Sequence, residues 1–371
     1  MSRDENKISG KRFIIAGGGT GGHIFPAIAI ANALKKISPD AIFLFVGAKG
    51  KMEMEKVPQA GYKIEGLTIA GFNRSSLIKN IGLPVKLIKS FFQVSRIMNE
   101  FKPDAVIGVG GYSSFPVLRY AQSKGISTFI HESNSFAGKS NILLGKKARK
   151  IFTASGGMEK FFPNQKIVVT GNPVRNSIVH NVISKEDAMK FFGLNTSAKT
   201  ILCIGGSLGA KSINEAVDKD LRLILDKGLQ LIWQTGKLYL DKAKARCEGM
   251  KNVYVTDFIA DMNYGYAAAD YVISRSGAMS VAELSIVAKP VVFVPYPFAA
   301  EDHQTANAQN LVQKEAALMV EDKLANEKLV PALIELSSNQ LLQGKLTKNI
   351  KTLGVFDADK IIAEEILKSI E

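Results

Sequence analysis

A glycine-rich segment followed at once by a histidine is the first feature of the sequence that could do chemistry. Residues 17–22 hold five glycines and Thr20, and His23 comes next. Glycine lets the backbone approach a ligand closely, and a helix starting here, with Pro26 in its first turn, points its positive N-terminus at the same place. His23 is either a general base or acid, because neutral imidazole accepts a proton near pH 7, or a histidine that caps the helix or packs against it.

Two further segments have the residue types of a phosphate or ribose site. Residues 205–210 repeat the pattern of strand, glycine-rich turn and helix, and Ser207 could donate to a phosphate oxygen. Small residues from position 276 onward let a ligand lie against the start of another helix, where Glu283 could accept both hydroxyl groups of a ribose. The plainer alternatives are a tight strand–helix turn for residues 205–210 and a capping or solvated acid for Glu283.

Residues 17–22 also match the dinucleotide fingerprint Gly-x-Gly-x-x-Gly, but that signal alone is weak. A dinucleotide site also needs an acidic residue after the second strand to bind the ribose, and residues 47–49 contain none. A NAD-binding oxidoreductase is therefore kept only as an alternative from a different class. The four histidines are far apart and no Asp-x-Asp follows a strand, so neither a metal nor a cofactor is predicted.

Short β-branched runs alternate with longer amphipathic segments along the chain. Near-continuous apolar strands of this kind predict parallel sheets covered by helices on both faces. Both halves open with strand, glycine-rich turn and helix, so the predicted fold class is α/β, with two doubly wound Rossmann-like domains facing a central cleft. The break is expected near Pro173. The predicted strands are residues 13–16, 42–46, 105–109, 128–131, 151–153 and 167–169, then 201–204, 231–233, 253–255, 271–274, 291–294 and 318–320.

Composition and charge narrow the function classes. The 371 residues are 46% hydrophobic and carry a formal net charge of +14, which suggests an anionic partner: nucleic acid, a phosphate-bearing ligand or an anionic membrane surface. The longest apolar run, residues 290–300, holds three prolines and is too short to span a bilayer, so we expect a soluble or peripheral protein. Nucleic-acid binding is not expected, because no helix-turn-helix signature, zinc spacing or RNP-type strand occurs.

Six short motifs resemble those of the MurG family of N-acetylglucosaminyltransferases. The resemblance runs from about Arg12 to the C-terminus, and the ordered set of six is specific. The motifs are Gly-Gly-Thr-Gly-Gly-His at residues 18–23, His-Glu-Ser-Asn at 131–134, Gly-Asn-Pro-Val-Arg at 171–175, Gly-Gly-Ser-Leu-Gly-Ala at 205–210, Ser-Arg-Ser-Gly-Ala at 274–278 and His-Gln-Thr-Ala-Asn-Ala at 303–308.

The resemblance implies a GT-B fold and a metal-independent, inverting transfer. The transferred group is N-acetylglucosamine, the donor is UDP-N-acetylglucosamine, and the acceptor is lipid I (undecaprenyl-diphospho-N-acetylmuramoyl-pentapeptide). The products are lipid II and UDP, in peptidoglycan synthesis. Residues 1–173, with a C-terminal helix at about 355–371, would bind the acceptor and face the membrane, and residues 174–354 would bind the UDP-sugar. Other GT-B enzymes that use a UDP-sugar, such as glycolipid synthases or epimerases, stay as alternatives.

Carried over motif by motif, the resemblance also implies a role for each matching residue. His23 would be the base that takes the proton of the acceptor hydroxyl, with Glu132 as its rival. Glu283 would hold the ribose, and Ile259 would lie at the uracil. The remaining donor contacts would be Thr20, Gly21, Gly22 and Asn134 from the first domain, and Arg175, Ser207, Ala278, Met279, Ser280, Val281, Ala282 and Gln304.

Residues 71–124 form a basic segment interleaved with apolar side chains. It holds eight Lys or Arg against two acidic residues, and Leu77, Ile81, Ile88 and Phe92 are among its apolar members. Such a pattern suits a peripheral patch on anionic lipid. Because the acceptor implied by the resemblance is a lipid, the resemblance implies a place at the cytoplasmic face of the bacterial inner membrane, with other cell-wall synthesis proteins as candidate partners. The alternative is an ordinary helix over residues 84–101 with an apolar core face and solvated lysines.

Overall fold

The computed structural model describes residues 10–71, 82–206 and 208–370. The chain divides into two compact units. The first comprises the residues up to Val174 together with those from Asp357 onward, and the second is Arg175–Phe356.

The described part of the first unit contains one parallel sheet of seven strands, in the spatial order β3-β2-β1-β4-β5-β6-β7. Helices follow most of its strands, as expected for a doubly wound sheet. The strands are β1 (Arg12–Ala16), β2 (Ile42–Ala48), β3 (Lys63–Leu67), β4 (Ala105–Gly108), β5 (Ser127–Glu132), β6 (Lys150–Thr153) and β7 (Ile167–Val169), and the helices are α1 (Gly21–Ile37), α2 (Glu53–Gln59), α3 (Leu83–Phe101), α4 (Ser114–Ser123) and α5 (Lys139–Gly145).

The central strand β1 shows how the sheet is covered on both faces. Phe13 and Ile15 belong to one apolar core, whereas Ile14 and Ala16 belong to the other. All four are at most 1% exposed, and burial of each large apolar side chain contributes about 1.5–3 kcal/mol. The alternation along one strand therefore attaches a layer of helices to each face of the sheet.

The second unit contains a parallel sheet of six strands, in the order β10-β9-β8-β11-β12-β13. Its elements are α6 (Asn176–Val179), α7 (Lys185–Phe191), β8 (Lys199–Ile204), α8 (Lys211–Lys219), α9 (Leu221–Asp226), β9 (Leu229–Gln234), α10 (Leu240–Arg246), β10 (Val253–Thr256), α11 (Met262–Ala268), β11 (Tyr271–Ser274), α12 (Ala278–Val287), β12 (Val291–Phe293), α13 (His303–Val312), β13 (Leu318–Met319), α14 (Ala325–Ser338) and α15 (Gln340–Lys351).

A last helix, α16 (Ala358–Ile370), belongs to the first unit although it ends the chain. It packs on α1 and places Ile362, Ala363 and Ile366 in the same apolar core as Phe13. An ion pair between Lys150 and Glu365 also ties it to β6. The core of the first unit is therefore built from both ends of the sequence.

All twelve strands predicted from the sequence are present, and their bounds differ from the predicted ones by at most two residues. The strand β3 was not predicted. It lies at the edge of its sheet and pairs with β2 alone. It carries Lys63, Glu65 and Gly66, so it lacks the run of apolar β-branched residues from which a buried strand is predicted. Among the described residues, no helix is long and apolar enough to cross a membrane.

Candidate functional site

The first glycine-rich loop, residues 17–22, leads from β1 into α1 and fixes the ring of His23. Thr20 is the N-cap residue of α1, and His23 lies in the first turn, partly exposed. The ring atom Nδ1 is 3.0 Å from the carbonyl oxygen of Gly18 and 3.4 Å from Oγ1 of Thr20. Because a carbonyl oxygen can only accept, the bond to Gly18 requires the proton on Nδ1. In the neutral ring, Nε2 is then the basic nitrogen.

Room for that ring is provided by the turn after β4. A Cβ atom at Gly110 would lie 2.8 Å from both Nε2 and Cδ2 of His23, so the imidazole edge rests directly over a glycine backbone. Gly110 also has a φ of +95°, a conformation that side chains other than glycine rarely adopt. The turn after β4 thus makes space for His23 because it carries a glycine at this position.

Glu53 is a residue of this site that the sequence analysis missed. Its side chain is 1% exposed at the start of α2, and its carboxylate accepts hydrogen bonds from the backbone N–H groups of Gly19 at 2.8 Å and Ala48 at 3.0 Å. A negative charge therefore sits against the loop, and like-charge repulsion disfavours a phosphate there. In the sequence, Glu53 is recognisable only as an acidic residue shortly after the second strand, four residues beyond residues 47–49, where a ribose-binding acid would be expected.

The rival base, Glu132, lies at the end of β5 and is 3% exposed. One oxygen accepts from the backbone N–H and the side-chain amide of Asn134, at 3.1 and 3.3 Å. The other accepts from the backbone N–H of Gly138 at 3.1 Å and from the amide of Asn141 at 2.8 Å. Four donors fix the orientation of this buried carboxylate and shape the loop that carries Asn134. Its neighbour His131 is fully buried, and burial lowers the pKa of that imidazole to about 4.

Helix α3 lies in the part of the basic segment that the structure describes, which is Gly71 and residues 82–124. Val85, Ile88 and Phe92 are 69%, 59% and 74% exposed, and Lys86 and Lys89 are exposed beside them. The side chains that α3 buries lie mostly in its second half, at Val94, Ile97 and Met98. The apolar residues of the first half therefore do not form the core face that the ordinary-helix alternative requires. Arg74, Leu77, Ile78, Lys79 and Ile81 lie outside the described residues.

In the second unit, Glu283 is the centre of a buried polar cluster on α12. Its Oε1 accepts from Nε and Nη2 of Arg175, at 3.2 and 2.9 Å, and its Oε2 accepts from the hydroxyl of Tyr266 at 2.9 Å. Glu283 is 7% exposed, and burial beside this carboxylate raises the pKa of Tyr266, which keeps the phenol protonated as a donor. The structure thus brings Arg175 and Glu283 together, and it adds Tyr266, which no sequence motif indicated.

The starts of α12 and α13 lie side by side. Oγ of Ser276 donates to the carbonyl oxygen of Gln304 at 2.8 Å, and the amide of Asn307 donates to the carbonyl oxygen of Ser276 at 3.1 Å. The side-chain oxygen of Gln304 accepts from the N–H of Tyr296 at 3.0 Å, which turns its NH₂ group into the end that can donate to a ligand. Residues 278–282 form the first turn and a half of α12, and the N–H of Val281 bonds to the carbonyl oxygen of Gly277 at 3.0 Å.

Gln234 joins two of the predicted donor-site segments. Its amide donates to the carbonyl oxygen of Gly206 at 3.0 Å, and its side-chain oxygen accepts from the N–H of Ile259 at 3.1 Å. Ile259 is 4% exposed, so a nucleotide base would contact its backbone groups rather than its side chain. Ser207, the predicted phosphate donor of this loop, lies outside the described residues.

Arg275, in the third small-residue motif, is a structural residue. Its guanidinium donates to the carbonyl oxygens of Val294 and Pro295, to the carboxylate of Asp322 and to the hydroxyl of Ser212. It is 9% exposed, so these bonds tie α8, β12 and the segment before α14 to the end of β11. In the described parts of the chain, no three His, Cys, Asp or Glu side chains are grouped as a metal site requires.

Comparison with known proteins places both units in one enzyme family. The N-terminal domain of glycosyltransferase family 28 matches residues 13–153, and the C-terminal domain of that family matches residues 200–362. A Cytophaga hutchinsonii protein named UDP-N-acetylglucosamine–N-acetylmuramyl-(pentapeptide) pyrophosphoryl-undecaprenol N-acetylglucosamine transferase is 50% identical over 359 residues, 97% of each chain. A protein of the same name from Phocaeicola vulgatus is 50% identical over 360 residues, 96% of each chain.

The fold comparison agrees with the sequence comparison. The crystal structure of Acinetobacter baumannii MurG has a TM-score of 0.76 against this chain at 29% identity, and the match covers 96% of this chain and 99% of that one. Similarity therefore spans both units and the segment between the two family domains.

Proposed function

The chain belongs to the MurG family of glycosyltransferases, with a GT-B fold, and we infer that it transfers N-acetylglucosamine from UDP-N-acetylglucosamine to lipid I, giving lipid II and UDP. The observation that carries this conclusion is half identity, over nearly the whole of both chains, to transferases named for that donor and acceptor. A glycolipid synthase, an epimerase or a NAD-binding oxidoreductase would not be expected to share that identity throughout.

The donor site lies in the second unit, on the cluster around Glu283. A carboxylate held by Arg175 and Tyr266 has a fixed orientation, and the lone pair left on Oε2 can accept a ribose hydroxyl. The N-terminus of α12, residues 278–282, faces the leaving diphosphate with its positive dipole end. Gln304 donates to the sugar, and Ile259 offers its backbone to the uracil.

His23 is the base in the first unit. Nε2 takes the proton of the acceptor hydroxyl while that oxygen attacks the anomeric carbon and the UDP oxygen leaves from the opposite face. Support comes from the hydrogen bond to the carbonyl oxygen of Gly18, which keeps the proton on Nδ1 and the lone pair on Nε2. Glu132 is less suited, because four donors already occupy its carboxylate. The donor-sugar contacts expected from Thr20, Gly21, Gly22 and Asn134, and the phosphate contact expected from Ser207, stay predictions.

The first half of α3 docks on an anionic membrane surface. Exposed Val85, Ile88 and Phe92 give the helix apolar groups that can enter the headgroup region, and Lys86 and Lys89 give it charge. The proposed location is the cytoplasmic face of the inner membrane, with other cell-wall synthesis proteins as candidate partners.

Turnover of radiolabelled UDP-N-acetylglucosamine, with and without lipid I in vesicles, tests the function. We expect labelled lipid II and UDP only when lipid I is present, and unchanged turnover in EDTA, since the site supplies charge through helix ends and Arg175 rather than a metal. Consumption of the donor without acceptor would identify an epimerase or a hydrolase instead. Transfer to lipids that lack the muramoyl-peptide would identify a glycolipid synthase.

A further inference from the structure

Glu53 and His23 bind opposite ends of the same peptide unit. The carboxylate of Glu53 accepts from the N–H of Gly19 at 2.8 Å, and the carbonyl oxygen of Gly18 accepts from Nδ1 of His23 at 3.0 Å. The C=O of Gly18 and the N–H of Gly19 belong to one planar amide. A buried carboxylate is therefore connected to the imidazole through a single rigid group.

The contact is built into the surrounding backbone. A Cβ atom at Gly18 would lie 2.3 Å from the carboxyl carbon of Glu53, and one at Gly47 would lie 2.5 Å from its Cγ. Two glycines thus make the space that this side chain fills. The neighbouring acid Glu55 lies on the same helix, its side chain is 66% exposed, and it pairs with Lys56 and Gln59 of that helix.

Hydrogen bonds in series strengthen one another, because each polarises the next. A carboxylate on the N–H of an amide makes the C=O of that amide a stronger acceptor, and this holds the Nδ1 proton more firmly. The imidazole then keeps the tautomer with its lone pair on Nε2 and becomes more basic there, as an acid bonded directly to a histidine does in catalytic triads.

We propose that Glu53 is a positioning residue, which orients and activates His23 through the Gly18–Gly19 peptide. The proposal rests on the proposed function, in which His23 is the base. It assigns to Glu53 no contact with donor or acceptor. It also explains why this glycine-rich loop carries a carboxylate where a nucleotide-binding loop would leave its amides for phosphate.

Glu53→Gln is the first test, with Glu55→Gln as the matched control that removes the same charge from the same helix. We expect Glu53→Gln to lower kcat about 10- to 100-fold, the usual cost of losing an outer partner of a functional histidine, while the affinity for UDP stays within about twofold. Glu55→Gln should leave both unchanged. Wild-type kcat for Glu53→Gln, in a protein with normal circular dichroism, would overturn the proposal.

The pH profile of kcat separates activation from simple support of the fold. Removing the carboxylate makes a positive imidazole less favourable, so the acid limb of the profile should move to lower pH in Glu53→Gln. Two other titratable groups face this pair. Burial and Glu53 raise the pKa of Tyr112, and burial lowers the pKa of His131 to about 4, so both stay neutral between pH 5 and 9. An acid limb that does not move would leave Glu53 a structural residue and contradict the activating role.

A double-mutant cycle with His23→Ala decides whether Glu53 acts through His23. Once His23 is absent, Glu53→Gln should cost nothing further in kcat, whereas independent effects would multiply. Gly47→Ala gives a second approach, because the three atoms nearest its added Cβ all belong to Glu53, and it should reproduce the loss even if Glu53→Gln folds poorly. Near-normal kcat in His23→Ala would overturn the proposed base itself. A large loss in His23→Ala with multiplying effects would overturn only the relay.

Discussion

The two glycine-rich loops follow the first strand of their units in the same way, but opposite chemistry surrounds them. In the first loop, the N–H of Gly19 is held by the buried carboxylate of Glu53. In the described part of the second loop, Gly206 is bound by the neutral amide of Gln234, and the next helix begins with a lysine, Lys211. A carboxylate beside a loop repels phosphate, and a neutral amide does not. The residue packed against a glycine-rich loop therefore decides its chemistry as much as the glycines do.

Replacing His23 should have the largest effect on kcat. A small effect would contradict the difference in chemistry between the two loops. His23→Ala removes the proposed base, so we expect kcat to fall about 10²- to 10⁴-fold with UDP affinity nearly unchanged, because the proposed role of His23 is at the acceptor hydroxyl. Steady-state kinetics and calorimetry with UDP measure the two quantities. His180→Ala, an exposed histidine of the second unit, is the control. Near-normal kcat in His23→Ala, together with loss in Glu132→Ala, would move the base to Glu132.

Replacing Glu283 should affect binding instead of turnover chemistry. A hydrogen bond to a charged group contributes about 1.5–3 kcal/mol, so Glu283→Ala should weaken UDP binding more than tenfold while the fold is kept. Isothermal titration with UDP measures this, with exposed Glu335→Ala as the control. Tyr266→Phe should give a smaller loss, because it removes one of the donors that orient Glu283. Unchanged UDP affinity in Glu283→Ala would remove this residue from the site.

A third measurement tests whether the proposed membrane-binding surface, the first half of α3, lies in the first unit alone. The protein should pellet with anionic vesicles at low salt and be released as salt rises, since exposed charges are screened over about 10 Å at 0.1 M. Charge reversal at Lys86 and Lys89 should weaken binding by about 1 kcal/mol per residue, and Lys79, outside the described residues, should add to this. Reversal of exposed Lys244 and Lys251 in the second unit is the control. Binding that ignores both salt and these lysines would mean that α3 is only a solvated face.

The smallest effect is expected at the ion pair that ties α16 to the first unit. The hydrogen bond from Lys150 lowers the pKa of the Glu365 carboxyl. A lowered pKa gives stabilisation above the ordinary pKa of glutamate, which is lost as pH falls through the lowered value. Because the pair is partly exposed, Glu365→Gln should cost α16 at most about 1 kcal/mol at pH 7. Hydrogen exchange of the α16 amides, relative to wild type, should show this difference at pH 7 and lose it in acid. A difference that persists in acid would exclude the ion pair as its cause.

Most of the strands could be predicted from the sequence, because a buried parallel strand needs a run of apolar residues that is visible without the structure. The edge strand β3 could not, since one exposed edge and alternating charge leave no such run. The motifs likewise located His23 and Glu283, whose neighbours in sequence carry the pattern.

The partners of those residues could not be predicted in the same way. Glu53 lies 30 residues beyond His23 in the chain and meets its loop only when α2 packs beside β1 and β2. Tyr266 lies on α11 and reaches Glu283 across to α12. The exposure of Phe92 on α3 is also a tertiary fact, because the same helical spacing would suit a core face. Contacts that depend on how distant elements pack leave no local pattern in the sequence.

The position of α16 sets the order in which the protein can mature during synthesis. Ile362, Ala363 and Ile366 complete the core that contains Phe13 and α1, yet they are translated after every residue of the second unit. While the ribosome is still synthesising the second unit, one side of the core of the first unit stays uncovered. Completion of the unit that carries His23 is thereby coupled to the synthesis of α16, so a chain interrupted within α16 would have a complete second unit and an incomplete first one.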